Sequence, residues 1–260
     1  MSCLFGIARG YAFRPRIDAL ACFNGHDMFT FTPRHGPQFS GDVPSGVVPQ
    51  TGATNQGCLD NTARPQDAPS RDVYSNSRFS HAAPIDLQEI TPAEWTIEIS
   101  VKPKRRYAGP QTFVTRDGKF GEQAWLAFQI TNQDRFAITF VDLERRPHAA
   151  VASAMTLQVN YWYHLAAVSD GRTLQLYVDC LDGRGYQLQA STELPSTGST
   201  ALGKSSDPSC REWALGRIRA QNRDVYQWFQ GWIDEVRISD VALSPQDFLF
   251  TPKEPGKAAK

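Results

Sequence analysis

The stretch FQGWIDEVRISDVALSPQDF, residues 229–248, joins an alternating apolar run to an adjacent acid pair and a helix-start signal. In its first half, apolar residues recur at every second position, which predicts a strand. Ser244 followed by Pro245 is the chemistry of a helix start, with serine as N-cap and proline at the first helical position. Because neighbouring residues of a strand point to opposite faces, Asp234 and Glu235 cannot act together on one substrate atom. This pair is therefore not a catalytic dyad.

The same period of two recurs through the middle of the chain. In EWTIEISVKP, residues 94–103, every second residue from Trp95 to Val101 is apolar, which predicts a strand with one apolar face. WYHLAAVSDGRTLQLYVD, residues 162–179, is typical of a hairpin, with two β-rich runs joined by Ser-Asp-Gly-Arg. Short strands separated by turn chemistry predict an all-β fold, a two-sheet antiparallel β-sandwich. Further strands are predicted in QTFVTRDG (111–118), AWLAFQIT (124–131), RFAITFVD (135–142) and EWALGRIR (212–219).

Length and composition favour one domain. The chain has 260 residues, of which 41% are hydrophobic, and this is compatible with a single large all-β domain over residues 1–260. Residues 33–71 are rich in Pro, Gly, Ser, Thr, Asn and Gln, which predicts a long inserted loop. Residues 251–260 predict a flexible, solvated tail.

The charge balance bears on the class of partner. Lys plus Arg and Asp plus Glu number 27 each, so the net charge provides no long-range attraction to nucleic acid or to an anionic membrane. No window has the roughly 18 apolar residues of a membrane span, so we expect no membrane insertion. We expect an extracellular or periplasmic location, although Arg9, Arg14 and Arg16 interrupt the apolar core that a signal peptide needs.

The five cysteines show no CxxC spacing, which argues against a thiolate zinc site. One interpretation is a pair of disulfides, Cys180 with Cys210 and Cys22 with Cys58. A bridge across the loop between Cys180 and Cys210 would stabilise the fold by roughly 3 kcal/mol in the chain-entropy model. The other interpretation is a set of buried thiols in a reducing compartment.

The three most regular segments carry a family resemblance. EWTIEISVKP, WYHLAAVSDGRTLQLYVD and FQGWIDEVRISDVALSPQDF occur in the order and spacing of a LamG-like jelly roll. The chain resembles the laminin-G-like domains of the concanavalin A-like lectin/glucanase superfamily over roughly residues 73–249. The most specific part is the closing G-x-I-D-E-V-R-I followed by A-L-S. The chain departs from the pattern at Cys180, where such domains usually have glycine, and in the length of the insertion at 33–71.

The resemblance implies two antiparallel sheets, one convex and one concave, with the first and last strands adjacent. DALACFNG, residues 18–25, is the expected opening strand. The resemblance does not imply one function, because function depends on the site rather than on the fold.

Catalysis is the first functional alternative to weigh. Hydrolases of this superfamily carry acids two apart on one strand, in an E-x-D-x-E type pattern that this sequence lacks. A polysaccharide β-elimination could use His164 and Tyr163 as base and acid, with Arg135 neutralising the uronate. The strand motifs of jelly-roll lyases are missing, however, since FQITNQDR, residues 128–135, is the nearest match. In LamG-like domains the histidine at this place is commonly a packing residue, so we expect His164 in or near the core.

A binding surface is the better supported hypothesis, because aromatic rings and polar side chains that form paired hydrogen bonds hold sugars. One group of candidates is predicted on the polar side of adjacent strands, and a second in a loop ahead of the last strand. The alternative is that a loop covers Trp125 and that Trp228 fills a corner of the sandwich. The first group is Trp125, Gln129, Arg135 and Thr139, and the second is Arg223, Tyr226 and Trp228.

The acid pair leaves a calcium hypothesis open. Glu235 and Arg237 share a strand face, which favours a structural ion pair. A structural Ca²⁺ would take hard oxygen ligands, and Asp234 with Asp18 and Asn24 is the set to inspect. The sequence thus predicts a monomeric, lectin-like module that recognises a glycan or polysaccharide. The alternatives are a polysaccharide lyase or glycoside hydrolase on the same fold, and an adhesion or structural module that binds protein through its loops, which predicts a flat apolar patch and no groove.

Overall fold

The computed structural model describes residues 19–20, 27–33, 59–60, 89–104, 109–119, 121–211, 213–219, 225–227 and 229–251. Side chains are not described in the three segments before residue 89, nor at Tyr226, Asp234, Glu235 and a few other positions. Nearly all regular structure in these ranges is strand. The strands are β1 (Ala19–Leu20), β2 (Asp27–Pro33), β3 (Leu59–Asp60), β4 (Trp95–Pro103), β5 (Gln111–Arg116), β6 (Leu126–Ile130), β7 (Phe136–Val141), β8 (Pro147–Val151), β9 (Tyr163–Ser169), β10 (Thr173–Asp179), β11 (Gln187–Glu193), β12 (Trp213–Leu215), β13 (Ile218–Arg219), β14 (Val225–Tyr226) and β15 (Gly231–Ser239).

The strands form two antiparallel sheets that pack as a sandwich. The first sheet has the order β1-β2-β15-β4-β9-β10-β11, with β3 also paired to β15. The second sheet has the order β12-β5-β6-β7-β8, and β13 pairs with β14 separately. The pairing of β2 with β15 places an early strand beside the last one, as the resemblance implied, but β2 is not the expected opening strand 18–25, of which β1 covers Ala19–Leu20. The all-β sandwich predicted from the period of two is therefore confirmed.

The core lies between the sheets and is built from alternate residues of each strand. From the first sheet it takes the apolar side of β4, β9 and β10, and from the second the apolar side of β6 and β7. Aromatic rings meet edge to face across it, as in the contact of Trp95 with Phe140 at 5.4 Å between ring centroids. One contiguous cluster thus joins both sheets.

The other side of the first sheet is also covered, which the period of two in EWTIEISVKP does not show. Residues 240–251, which we call the C-terminal strap, cross this side and bury Thr96, Glu98 and Ser100 completely. The Thr96 hydroxyl donates to the carbonyl of Val241 at 2.8 Å, and the Leu249 amide donates to Glu98 at 2.7 Å. Buried polar groups need such partners, so the polar residues of β4 serve as attachment points for the strap.

Two expectations about secondary structure are corrected. The signal at Ser244 and Pro245 produces one 3₁₀ turn, Pro245–Asp247, and no side-chain cap, because Ser244 bonds the Asp247 carboxylate instead. The inserted segment 33–71 is not wholly loop, since β3 lies inside it.

The predicted disulfide between Cys180 and Cys210 is absent, because Cys180 is a free thiol that packs partly against the core. The second predicted pair, Cys22 with Cys58, falls outside the described residues.

In the part of the chain that the structure describes, no helical segment has the length and apolar character of a membrane span.

Candidate functional site

The second sheet turns one side away from the core, and we call this side the β5–β8 face. Registered pairing defines its members, because residues directly opposite each other in an antiparallel pair share a face. Leu126, Phe128 and Ile130 point into the core, so the residues between them point outward. The outward set is Thr112 and Thr115 on β5, Ala127 and Gln129 on β6, Ala137 and Thr139 on β7, and Ala149 and Val151 on β8, with Trp125 at the end of β6.

A polar cluster lies at one end of the β5–β8 face. Thr112 and Gln129 are cross-strand partners, and the Thr112 hydroxyl donates to Oε1 of Gln227 at 3.1 Å. The Thr112 amide also donates to the carbonyl of Gln227 at 2.9 Å, and a bulge in β5 beside Thr112 makes room for this contact. Gln129 and Gln227 are both half-buried, whereas Thr112 is completely buried. The structure thus brings together two amides and a hydroxyl from three segments.

The loop residues predicted ahead of the last strand flank this cluster along the chain. Tyr226 directly precedes Gln227 and ends β14, but its side chain is not described. Arg223 and Trp228 lie outside the described residues. The assignment of these three residues to ligand binding therefore stays a prediction.

Trp125 lies at the other end of the face, and its ring is covered. Only 4% of the residue is exposed. Gly203 packs so closely on the ring that a Cβ built there would lie 2.3 Å from it, so no larger residue fits without a shift. The Arg145 guanidinium lies over the ring, 5.7 Å from its centroid. The alternative interpretation, in which a loop covers Trp125, is the one observed, and we do not assign sugar stacking to this ring.

Glu122 holds this end of the face together. Its carboxylate accepts hydrogen bonds from the Ser205 hydroxyl at 2.7 Å and from the Trp125 indole at 3.4 Å. Burial alone would raise the pKa of Glu122, but hydrogen bonds from Ser205, the Lys119 amide and Trp125 outweigh burial and lower it. The group is therefore ionised at neutral pH and fixes the orientation of its neighbours.

Arg135 does not join Trp125 in one site. Arg135 is half-buried beside the turn between β6 and β7, where its guanidinium donates to the carbonyl of Met155. Trp125 is at the opposite end of β6, and at about 3.3 Å per residue the two positions are on the order of 20 Å apart. Arg135 is thus tied to the polypeptide near Met155, at the same end of the hairpin as Gln129.

The residues of the lyase hypothesis are not brought together, which overturns that set. Tyr163 points into the core and its hydroxyl bonds the backbone of Gln158, while burial raises its pKa. His164 is the next residue of β9 and points to the opposite side, beneath the C-terminal strap. Tyr163 and His164 therefore cannot face one substrate, and Tyr163 packs on Phe136 inside the core rather than on the outward side of the second sheet.

His164 is a packing residue, as the family resemblance implied. Its Nδ1 is hydrogen-bonded to the Ser100 hydroxyl at 2.6 Å, and its ring stacks on Phe250 at 3.8 Å between centroids. Burial lowers the pKa of His164 to about 3, because the charged ring would lose its hydration. The ring is therefore neutral at physiological pH and closed to an outside ligand.

Arg237 of the last strand forms a salt bridge with Glu98 of β4. The side chain of Glu235 is not described, so its ion pair with Arg237 stays a prediction. The pairing of β15 with β4 has a bulge between Asp234 and Arg237, which interrupts strict alternation.

The calcium hypothesis stays a prediction. Asp18 and Asn24 lie outside the described residues, and the side chain of Asp234 is not described. Among the residues that are described, no group of three or more His, Cys, Asp or Glu side chains is arranged to hold a metal ion.

Several residues of the face were missed from the sequence. Thr112 and Gln227 carried no local signal, because their contact spans 115 positions. Glu122 and Arg145 lie in turns, where charged residues are common. One signal was available for Arg145, because it ends a tight turn at a position where glycine is the commoner residue.

A comparison with curated protein sequences finds no significant match. Among solved structures, the CBM40 domain of the Ruminococcus gnavus IT-sialidase bound to α2,3-sialyllactose is 14% identical, and the alignment covers 65% of this chain and 85% of that one, with a TM-score of 0.48. The leech intramolecular trans-sialidase is 17% identical over 68% of this chain, with a TM-score of 0.49, and the alignment spans only 25% of the leech chain.

A third solved structure, the binding domain of botulinum neurotoxin DC in complex with SialylT, is 9% identical over 60% of this chain and 34% of its own, with a TM-score of 0.39. The family model Laminin_G_3 matches residues 76–247, which include β4 to β15 and agree closely with the range of the resemblance noted above. The chain therefore belongs to the Laminin_G_3 family of the concanavalin A-like lectin/glucanases superfamily.

Proposed function

We propose that this protein is a carbohydrate-binding module that holds a glycan on the β5–β8 face. The observation that carries the proposal is the pair of half-buried amides Gln129 and Gln227, which the buried Thr112 holds through strand pairing and a hydrogen bond. Amide side chains present a donor and an acceptor side by side, which matches neighbouring hydroxyls of a sugar ring. A binding surface of this kind uses hydrogen bonds for specificity rather than net charge.

The floor of the face favours an extended ligand. Ala149 on β8 is exposed, so a sugar ring can approach the sheet there, whereas Ala127 and Ala137 are buried. Thr139 adds a half-buried hydroxyl in the middle of the face, and Val151 adds an exposed apolar surface at its edge. The face thus offers hydroxyl groups and apolar surface side by side, which matches the polar hydroxyls and the apolar C–H faces of a sugar ring.

The carboxylates at the Trp125 end of the face favour binding over catalysis. Asp142 is buried and accepts four hydrogen bonds, from the amides of Glu144 and Arg146, the Arg146 side chain and the His148 ring. Glu122 is similarly saturated by its neighbours. A carboxylate held this way stabilises loops, and it is poorly suited to donate or accept a proton on a substrate.

Membership of a superfamily named for lectins and glucanases supports carbohydrate as the ligand class. The fold by itself would be compatible with other ligands, so the assignment rests on the face. An extracellular or periplasmic location and a monomeric state remain part of the proposal.

The test is a glycan and polysaccharide retention screen that also records reducing-end or unsaturated products. We expect retention without product release. Gln129→Ala should weaken retention about tenfold, since one to two net hydrogen bonds are worth roughly 1 to 2 kcal/mol. Gln189→Ala on β11, also a half-buried amide, is the matched control and should bind like the parent.

Two results would contradict the proposal. Unchanged retention in a folded Thr112→Val/Gln129→Ala double variant would remove the β5–β8 face as the site. Release of products by the parent protein would instead favour the enzyme hypothesis.

A further inference from the structure

Arg145 adopts a backbone conformation that arginine rarely takes. It ends the tight turn between β7 and β8, where its amide donates to the carbonyl of Asp142 at 3.0 Å. Its φ is +63°, in the left-handed region that favours glycine. Such strain persists only when surrounding contacts hold the residue, and it clusters at ligand sites.

Two contacts hold the Arg145 side chain and aim it. The guanidinium lies over the covered ring of Trp125, and its Nη2 donates to Oε1 of Glu122 at 3.3 Å. Glu122 is itself fixed by Ser205 and by Trp125. The cation is thus supported from below by an aromatic ring and from the side by a buried carboxylate.

The rest of the guanidinium is open. The side chain is 63% exposed, and the bond to Glu122 is the one hydrogen bond that the guanidinium makes within the described residues. Arginine has five donors in a planar fork, so most of them face solvent here. This geometry leaves a fork that can take a planar anion through two parallel hydrogen bonds.

The charges around Arg145 balance in number, but two of the three carboxylates, Glu122 and Asp142, are buried. Lys119 also contacts Glu122, with its Nζ 3.8 Å from Oε1. Glu144, the nearest other acid along the chain, is turned toward Arg146 and the Ser199 amide. An anion beside Arg145 therefore meets an exposed guanidinium, while Glu122 and Asp142 are buried and already bonded.

We propose that Arg145 gives this protein its ligand class, a glycan with a carboxylate-bearing sugar residue. This inference rests on the proposed function, because Trp125 places Arg145 at the end of the β5–β8 face. The sugar carboxylate bonds the open edge of the guanidinium, while neighbouring sugars run past the half-buried Thr139 toward Gln129. The strained turn is retained because it carries this contact.

The test uses Arg145→Gly and compares a polyuronate with the same polymer after carboxyl reduction. Glycine suits the left-handed turn, which offsets the lost contacts to Glu122 and Trp125, so the variant should stay folded, and its thermal unfolding is measured to check this. We expect its affinity for the acidic polymer to fall at least tenfold, and its weaker affinity for the reduced polymer to stay unchanged. Arg145→Lys should give an intermediate loss, since it keeps the charge and loses the fork.

Arg184→Ala is the matched control, because Arg184 is equally exposed but lies in the loop between β10 and β11. Its affinity for both polymers should equal that of the parent. Equal binding of the acidic polymer by the parent and by Arg145→Gly would overturn the inference and leave the proposed function standing. Failure of the parent to retain any glycan would overturn both.

Discussion

At the scale of single residues, the buried polar groups separate sites of packing from sites of binding. His164 and Gln129 are both polar residues on strands, and the period of two gives them equivalent places. The strap closes over His164, whereas Gln129 stays half-buried beside Gln227. What distinguishes them is coverage by a distant part of the chain, and coverage is not a local property of the sequence.

His164 should make the protein less stable in acid. Its folded pKa is about 3 and its unfolded pKa about 6.5, so the unfolded chain binds more protons between these values. Stability from the neutral ring is fully present above about pH 6.5 and is lost as the pH falls toward 3. The loss is at most about 4 to 5 kcal/mol at 1.36 kcal/mol per pKa unit.

The measurement is urea unfolding at several pH values with the parent and His164→Gln. The glutamine variant should show a shallower dependence of unfolding free energy on pH in this window. Carboxylates contribute the same slope to both proteins, so the difference isolates the histidine. An identical slope in the two proteins would contradict a neutral, buried His164.

At the scale of elements, the C-terminal strap decides what the first sheet can do. Phe248 is completely buried against Ala166 and Val168, and Arg237 of β15 donates to the carbonyl of Asp247. The strap therefore occupies the outer side of the first sheet by apolar and polar contacts together. The β5–β8 face of the second sheet is covered only in part, since Gln129 and Thr139 are half-buried and Ala149 and Val151 are exposed. This accessible part is the surface that we propose binds a glycan.

Phe248→Ala should detach the strap. Loss of a fully buried phenylalanine costs about 3 to 5 kcal/mol. Hydrogen exchange should accelerate in residues 240–251 more than in β6 and β7, because the core between the sheets is untouched. Leu188→Ala, at an exposed position of β11, is the control and should change stability by less than about 0.5 kcal/mol. A uniform loss of protection in every strand would mean that the strap is not a separate unit.

Strand positions were largely predictable, but the roles of their polar sides were not. EWTIEISVKP and WYHLAAVSDGRTLQLYVD form the strand and the hairpin that their alternation predicted. The polar side of β4 turned out to be buried, because Thr96 and Glu98 bond a segment about 150 positions away. Period and turn chemistry describe neighbours in sequence and carry no information about such contacts.

At the scale of the whole molecule, one core should make the two sheets unfold together. The main apolar cluster takes residues from both sheets, so neither sheet can keep its apolar side buried alone. Thermal unfolding followed by near-ultraviolet circular dichroism, which reports the tryptophans, should coincide with far-ultraviolet circular dichroism, which reports the strands. Two separate transitions would contradict a shared core.

The sequence by itself determined the strands, the antiparallel sandwich and the family, because each depends on patterns within a few residues or on the order of such patterns. It also placed Gln129 and Thr139 on the polar side of their strands. Only the tertiary structure decided that Trp125 is covered, that Arg237 pairs with Glu98, and that Gln227 meets Thr112. These contacts join residues more than 75 positions apart, and their existence depends on how the sheets and loops pack rather than on any local preference.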